Sequence, residues 1–118
     1  MAGEVSFIEF GTGDTERARS FYEGLFNWKF EPGPGGQGYA IQTPNVPAGI
    51  HGNDPKGETL IFYAVDDMGA ATAQVIELGG QVDETNIEGD TDSVEKFGSF
   101  KMCRDPEGKV FGIHRPPG

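Results

Sequence analysis

The chain of 118 residues holds two histidines, and both close the same tripeptide, Gly49-Ile50-His51 and Gly112-Ile113-His114. Imidazole binds metals and exchanges protons near neutral pH, so these positions are the first candidates for chemistry. A carboxylate, Glu9, stands inside the strand-like run Val5 to Phe10. Burial there raises its pKa towards the working range of a general base, and a nearby histidine can share the proton. Cys103 is the only cysteine, which leaves no internal disulfide and no cysteine-rich metal cluster; in Lys101-Met102-Cys103-Arg104 it reads as small, buried strand filler.

The elements that must position these residues come in two copies. Asp14, Ala18 and Leu25 recur fifty-three residues later as Asp67, Ala71 and Leu78, and the run Val5 to Phe10 answers Leu60 to Val65. The histidine tripeptides are offset by sixty-three, so the second copy carries about ten extra residues, which fall within Asp83 to Lys96. That insertion has six acidic residues and one lysine and reads as a solvated loop, with a lid over a pocket as the functional alternative. Repetition of this kind implies two small modules, about 1–54 and about 55–118, within one domain.

Each module reads as strand, helix and three strands. In the first, Asp14 caps a helix carrying Ala18, Phe21, Tyr22 and Leu25 as an apolar stripe. Strands follow from Trp28 to Phe30, Tyr39 to Gln42 and Ala48 to His51, and Gly52 to Gly57 links the modules. The second gives strand Thr59 to Val65, a helix from about Met68 to Leu78, and strands Gln81 to Val82, Phe97 to Arg104 and Lys109 to His114. Asp105-Pro106-Glu107-Gly108 suits a type I turn. Gly11-Thr12-Gly13 is a strand-to-helix joint, because the third glycine of a dinucleotide loop falls at Glu16, whose charge repels phosphate.

A formal charge of -10 opposes the attraction that nucleic acids and anionic lipid require, so neither is expected as a partner. No apolar run approaches the ~20 residues of a membrane-crossing helix, and Met1-Ala2-Gly3-Glu4 lacks the character of a secretion signal. A cytoplasmic protein is expected. The core available to a chain of this size is small, and a partner subunit offsets that.

Phe7-Ile8-Glu9-Phe10, Asp14-Thr15-Glu16-Arg17-Ala18, Phe21-Tyr22, Leu25-Phe26-Asn27-Trp28 and Asp105-Pro106-Glu107-Gly108-Lys109-Val110-Phe111-Gly112 together resemble the vicinal oxygen chelate superfamily, the group of glyoxalase I, bleomycin-resistance proteins, extradiol dioxygenases and fosfomycin-resistance enzymes. The resemblance covers essentially the whole chain. It implies an α+β fold in which two tandem β-α-β-β-β modules form a cupped, incomplete barrel, commonly in a homodimer. It also implies a divalent metal held from the first and fourth strands of each module, at positions that here are Phe7, about Gly49, Leu60 and Gly112. None of these can ligate Fe, Zn, Ni or Mn.

Two residues further along each strand the side chain points the same way, and there stand Glu9, His51, Phe62 and His114. Glu9, His51 and His114 make the donor set of a displaced metal site. The plainer account has Glu9 bonded to a neighbouring strand or to Arg104, with the histidines at solvated strand ends near Arg115 and Asp54. Without a metal, the cup is a small-molecule pocket of the bleomycin-resistance kind, walled by Phe7, Trp28, Tyr39, Leu60 and Phe62, with Glu9 and His114 orienting the ligand and Glu9 as the catalytic candidate. The alternatives are a metal-dependent lyase, isomerase or dioxygenase at the displaced site, or an accessory subunit whose cup its own side chains fill.

Overall fold

The structure, a computed structural model, describes residues 2–33, 38–83 and 96–117. Its elements follow the order β1 (Val5–Gly11), α1 (Thr15–Phe26), β2 (Lys29–Pro32), β3 (Tyr39–Gln42), β4 (Ala48–His51), β5 (Thr59–Ala64), α2 (Met68–Glu77), β6 (Gln81–Val82), β7 (Ser99–Arg104) and β8 (Val110–Arg115). This is the α+β plan of two β-α-β-β-β copies expected from the repeat. The acidic insertion lies almost wholly outside the described residues.

The chain divides into two compact units, one of Phe7–Leu60 and one of Met1–Ser6 with Ile61–Gly118. The division departs from the expected 1–54 and 55–118 because the start of the chain pairs with the end of β5: Gly3 N–H donates to Ala64 O, and Ala64 N–H to Glu4 O, both at 2.8 Å. In the first unit the strand order is β2-β3-β4-β1, and in the second β5-β8-β7-β6. Each has one parallel pair, β1 with β4 and β5 with β8, and antiparallel pairs elsewhere. Pro32, which cannot donate to a ladder, sits on β2 at the edge.

Both helices start where the sequence places them. Asp14 Oδ1 accepts from Arg17 N–H and Asp67 Oδ1 from Ala70 N–H, each at 3.0 Å. Helix α1 ends at Asn27, whose left-handed backbone (φ 60) lets its N–H reach Glu23 O. Only part of the α1 stripe meets the sheet. Ala18 and Tyr22 pack on the core of Phe30, Ile41, Ala48 and Ile50, whereas Phe21, Leu25 and Phe26 stay 60%, 58% and 53% exposed. The i,i+4 pair Ala18 and Tyr22 takes the inner face, which turns Phe21 and Leu25 outwards.

In the second unit, parallel register sets Phe62 beside Gly112. A methyl group on Gly112 falls 2.1 Å from Phe62 Cδ2, so the absence of a side chain there is what admits the ring. Phe62 is 2% exposed and meets Phe100 edge-on at 5.2 Å. Gly112→Ala is therefore expected to lower stability by about 1–3 kcal/mol through overpacking. Urea unfolding checks this, and an unchanged midpoint contradicts it.

Candidate functional site

Parallel pairing of β1 with β4 places Glu9 beside Gly49 and Gly11 beside His51. Directly paired residues share a face of the sheet, so Glu9 and His51, two positions apart in register, meet on one side. His51 Nδ1 lies 2.7 Å from Glu9 Oε2, and His51 Nε2 lies 3.2 Å from Asp54 Oδ2. The two glycines make the room. A methyl group at Gly49 sits 2.6 Å from Glu9 Oε1, and one at Gly11 sits 2.3 Å from Asp54 Oδ2 and 3.1 Å from His51 Nε2. Asp54 is placed by the linker backbone, where its N–H donates to Thr12 O at 3.0 Å and its carbonyl accepts from Gly57 N–H at 2.8 Å.

Both nitrogens of His51 thus face carboxylate oxygens, and carboxylates accept. Imidazolium, with two N–H donors, is the form that satisfies both. Burial of the ring pulls its pKa down, but the hydrogen bonds and negative charges of Glu9 and Asp54 outweigh burial and hold it above 6.5. Glu9 moves the same way for another reason. Burial raises its carboxyl above 4.5, against the opposing hydrogen bond and charge of His51. Both groups are thus shifted upwards, and their titrations are coupled across a short hydrogen bond.

The equivalent histidine of the second unit has the opposite setting. His114 is 2% exposed, its Nε2 lies 2.7 Å from Phe97 O, and its Nδ1 lies 2.8 Å from Ser6 Oγ. Burial lowers its pKa below 6.5, against the opposing hydrogen bond to Phe97, so it stays neutral near physiological pH. The expectation of a solvated strand end holds for His51, whose side chain is 49% exposed, and is overturned for His114.

Residues 7–114 match the family model described as a glyoxalase-like domain. The chain belongs to that family. It is thereby a member of the vicinal oxygen chelate superfamily. A putative glyoxylase from Mycobacterium bovis is 31% identical over 124 residues, covering 94% of this chain and 45% of the relative. The chain spans about half the length of the curated relatives it matches at 30% identity or above. Among solved structures, a hypothetical protein from Bacillus halodurans C-125 aligns with a TM-score of 0.73 at 12% identity, covering 98% of this chain and 96% of that one. The methylmalonyl-CoA epimerase from Mycobacterium tuberculosis aligns at 0.67 and 12%, covering 98% and 89%. At such identities these two structures establish the fold alone.

The superfamily's metal does not fit the residues that this glyoxalase-like chain presents. Phe7, Gly49, Leu60 and Gly112 carry no donor, and the space over Gly49 and Gly112 is taken by Glu9 Oε1 with the Phe7 ring and by the Phe62 ring. Within their own units the displaced candidates have other partners. His51 spends one nitrogen on each carboxylate, and His114 has both nitrogens engaged by Ser6 and Phe97. Among the described residues, no three His, Cys, Asp or Glu side chains are arranged to hold a metal ion.

Within the first unit the expected pocket residues take both faces of the sheet. Phe7 is buried near Glu9, its Cζ 3.3 Å from a methyl group built on Gly49. Tyr39 pairs with Ile50 and so lies on the sheet face opposite Gly49 and His51. Trp28 joins the same α1-side core, stacking on Phe26 at 4.9 Å and Tyr22 at 5.4 Å. Both are therefore core residues, and Tyr39 also ties β3 to α1 through Arg19 and Glu16. Leu60 is half-buried, and Phe62 is packed on Gly112. Arg104 does not pair with Glu9; it reaches Asp83 at 3.7 Å and the Gly108 carbonyl at 3.3 Å. Asp54 is the member that sequence reasoning placed near a histidine without giving it a role, because Gly52-Asn53-Asp54-Pro55 reads first as a turn. Its signal was the i,i+3 spacing from His51.

The two histidines are expected to titrate on opposite sides of 6.5 in an imidazole NMR titration, His51 above and His114 below. Glu9→Gln should lower the His51 midpoint and leave His114 unmoved. The signs for stability follow by linkage. The contribution of His51 is complete below 6.5 and is lost as pH rises through its raised folded value. That of His114 is complete above 6.5 and is lost as pH falls towards its lowered folded value. Two midpoints at 6.5 contradict the assignment.

Proposed function

We propose that this glyoxalase-like chain binds a small organic molecule beside Glu9 and exchanges a proton with it, using its own side chains in place of the superfamily's metal. The observation that carries this reading is the partly buried carboxylate of Glu9, one oxygen of which is held by His51 while the other is turned towards Gly49. A carboxyl so placed meets an acidic C–H or O–H of a bound molecule. Its raised pKa brings it closer to the working range of a general base. His51 steadies the anion, and Asp54 in turn fixes the ring and balances its charge. The Glu9 side chain is 27% exposed, so the proton it accepts can return to solvent from the carboxyl itself.

A second copy of the chain is the proposed partner. Phe21, Leu25 and Phe26 on α1, and Ile76 and Leu78 at the end of α2, are more than half exposed, and clustered apolar side chains of this kind suit a protein partner. The roughly double length of the curated relatives at 30% identity or above leaves room for a second such domain and supports pairing. Among the described residues no helix is long and apolar enough to cross a membrane, and we assign the chain to the cytosol, where its buried thiol Cys103 stays reduced.

Ligand screening by thermal shift tests the site. A true ligand at a hundred times its Kd stabilises the protein by about 2.7 kcal/mol. Glu9→Gln is expected to weaken its binding on the order of 10- to 100-fold, the worth of a hydrogen bond to a charged group. Equal affinity in the variant removes Glu9 from the site. Sedimentation at ~100 µM should give twice the chain mass of 12.7 kDa, and Leu25→Glu should halve it; a wild-type monomer overturns the pairing.

A further inference from the structure

Outside that cluster, the second unit holds a serine and a histidine in the relation that activates a hydroxyl. Ser6 Oγ lies 2.8 Å from Nδ1 of His114, and the carbonyl of Phe97 lies 2.7 Å from Nε2. A backbone carbonyl only accepts, so the proton of the neutral ring is on Nε2 and Nδ1 turns its lone pair to the Ser6 hydroxyl. The ring plane is fixed as well, because Phe100 stacks on it at 4.4 Å with 6° between the planes. A nucleophile, a base within hydrogen-bond reach and a third group that orients the base are the parts of an activated serine.

Ser6 also has somewhere to meet a substrate. It lines a pocket of ≈ 360 Å³, together with Glu4, Asp66, Arg115 and Pro116. The guanidinium of Arg115 is steadied there, Nε donating to Asp66 O at 3.3 Å. It is the pocket's positive charge, the group able to meet an oxyanion that forms beside Ser6.

We propose that Ser6 and His114 are a nucleophilic pair that removes the acyl group from small esters held in this pocket. Ser6 Oγ bonds to the ester carbonyl carbon while its proton passes to His114 Nδ1. The carbon–oxygen bond to the alcohol then breaks, and the alcohol leaves with that proton. Water attacks the acyl-serine by the same route, giving up a proton to His114, which returns it to Ser6 as the carboxylic acid departs. Nothing in this chemistry draws on Glu9 or His51, so it stands or falls apart from the ligand site proposed there.

The test uses a small alkyl fluorophosphonate, with which the Ser6 Oγ–phosphorus bond forms, the phosphorus–fluorine bond breaks, and fluoride leaves with the serine proton. Intact mass and peptide mapping of the full chain should show one adduct, on Ser6. It should vanish in Ser6→Ala, persist in Ser20→Ala, and form on the order of 100-fold more slowly in His114→Gln, the usual loss for a missing general base. Should His114→Gln fail to fold, the wild type serves: labelling of Ser6 in buffer must stop in unfolding urea, where no histidine is held beside it. No adduct on Ser6 in the native protein, or labelling as fast in urea as in buffer, overturns the proposal.

Discussion

Everything at the candidate site depends on a single constraint, the parallel register of β1 on β4 with a glycine facing each reactive side chain. Glu9 stands beside Gly49, and His51 beside Gly11. A side chain at either glycine collides with the carboxylates, at 2.6 Å from Glu9 and 2.3 Å from Asp54. A one-residue slip of the register turns Glu9 and His51 to opposite faces and dissolves the cluster. The chemistry of the first unit therefore rests on backbone pairing and on two missing Cβ atoms, before any charge is considered.

The second unit makes the same register do something else. Phe62 beside Gly112 and Ala64 beside His114 repeat Glu9 beside Gly49 and Gly11 beside His51. Where one glycine admits a carboxylate, the other admits a phenyl ring. Where one histidine is half exposed between two acids that raise its pKa, the other is buried against an aromatic ring, a serine and a carbonyl, and burial lowers its pKa. A duplicated scaffold has thus shifted two imidazoles in opposite directions, by changing what stands within ~3 Å of each ring.

The elements were legible because their signals are local. Asp14 and Asp67 each precede a helical apolar pattern, and each caps through its own side chain, a matter of three residues. The turn Asp105 to Gly108 closes by Gly108 N–H to Asp105 O at 2.9 Å, as its Pro and Gly imply. The meeting of Glu9 with His51 was half legible. Strand alternation and the repeat set both on one face; the partners that His114 takes in its own unit, Ser6 and Phe97, are set by tertiary contacts that alternation does not encode. Trp28 and Tyr39 were assigned to a pocket because aromatics serve walls and cores alike. Which face of the sheet each takes is set by the β3–β4 pairing and by α1, and no local pattern encodes that. The partial burial of the α1 stripe was hidden for a similar reason, since periodicity states which residues share a face and not how much of that face is covered.

The direct test of the account is the titration of the Glu9 side-chain carboxyl, followed by its carbon resonance in selectively labelled protein. A midpoint above 4.5 that falls when Phe7→Ala opens the site to water is the predicted result, because burial is what raises it. A midpoint at or below 4.5 contradicts it, since Glu9 is then an ordinary exposed acid paired with a histidine and has no proton-exchanging role to play.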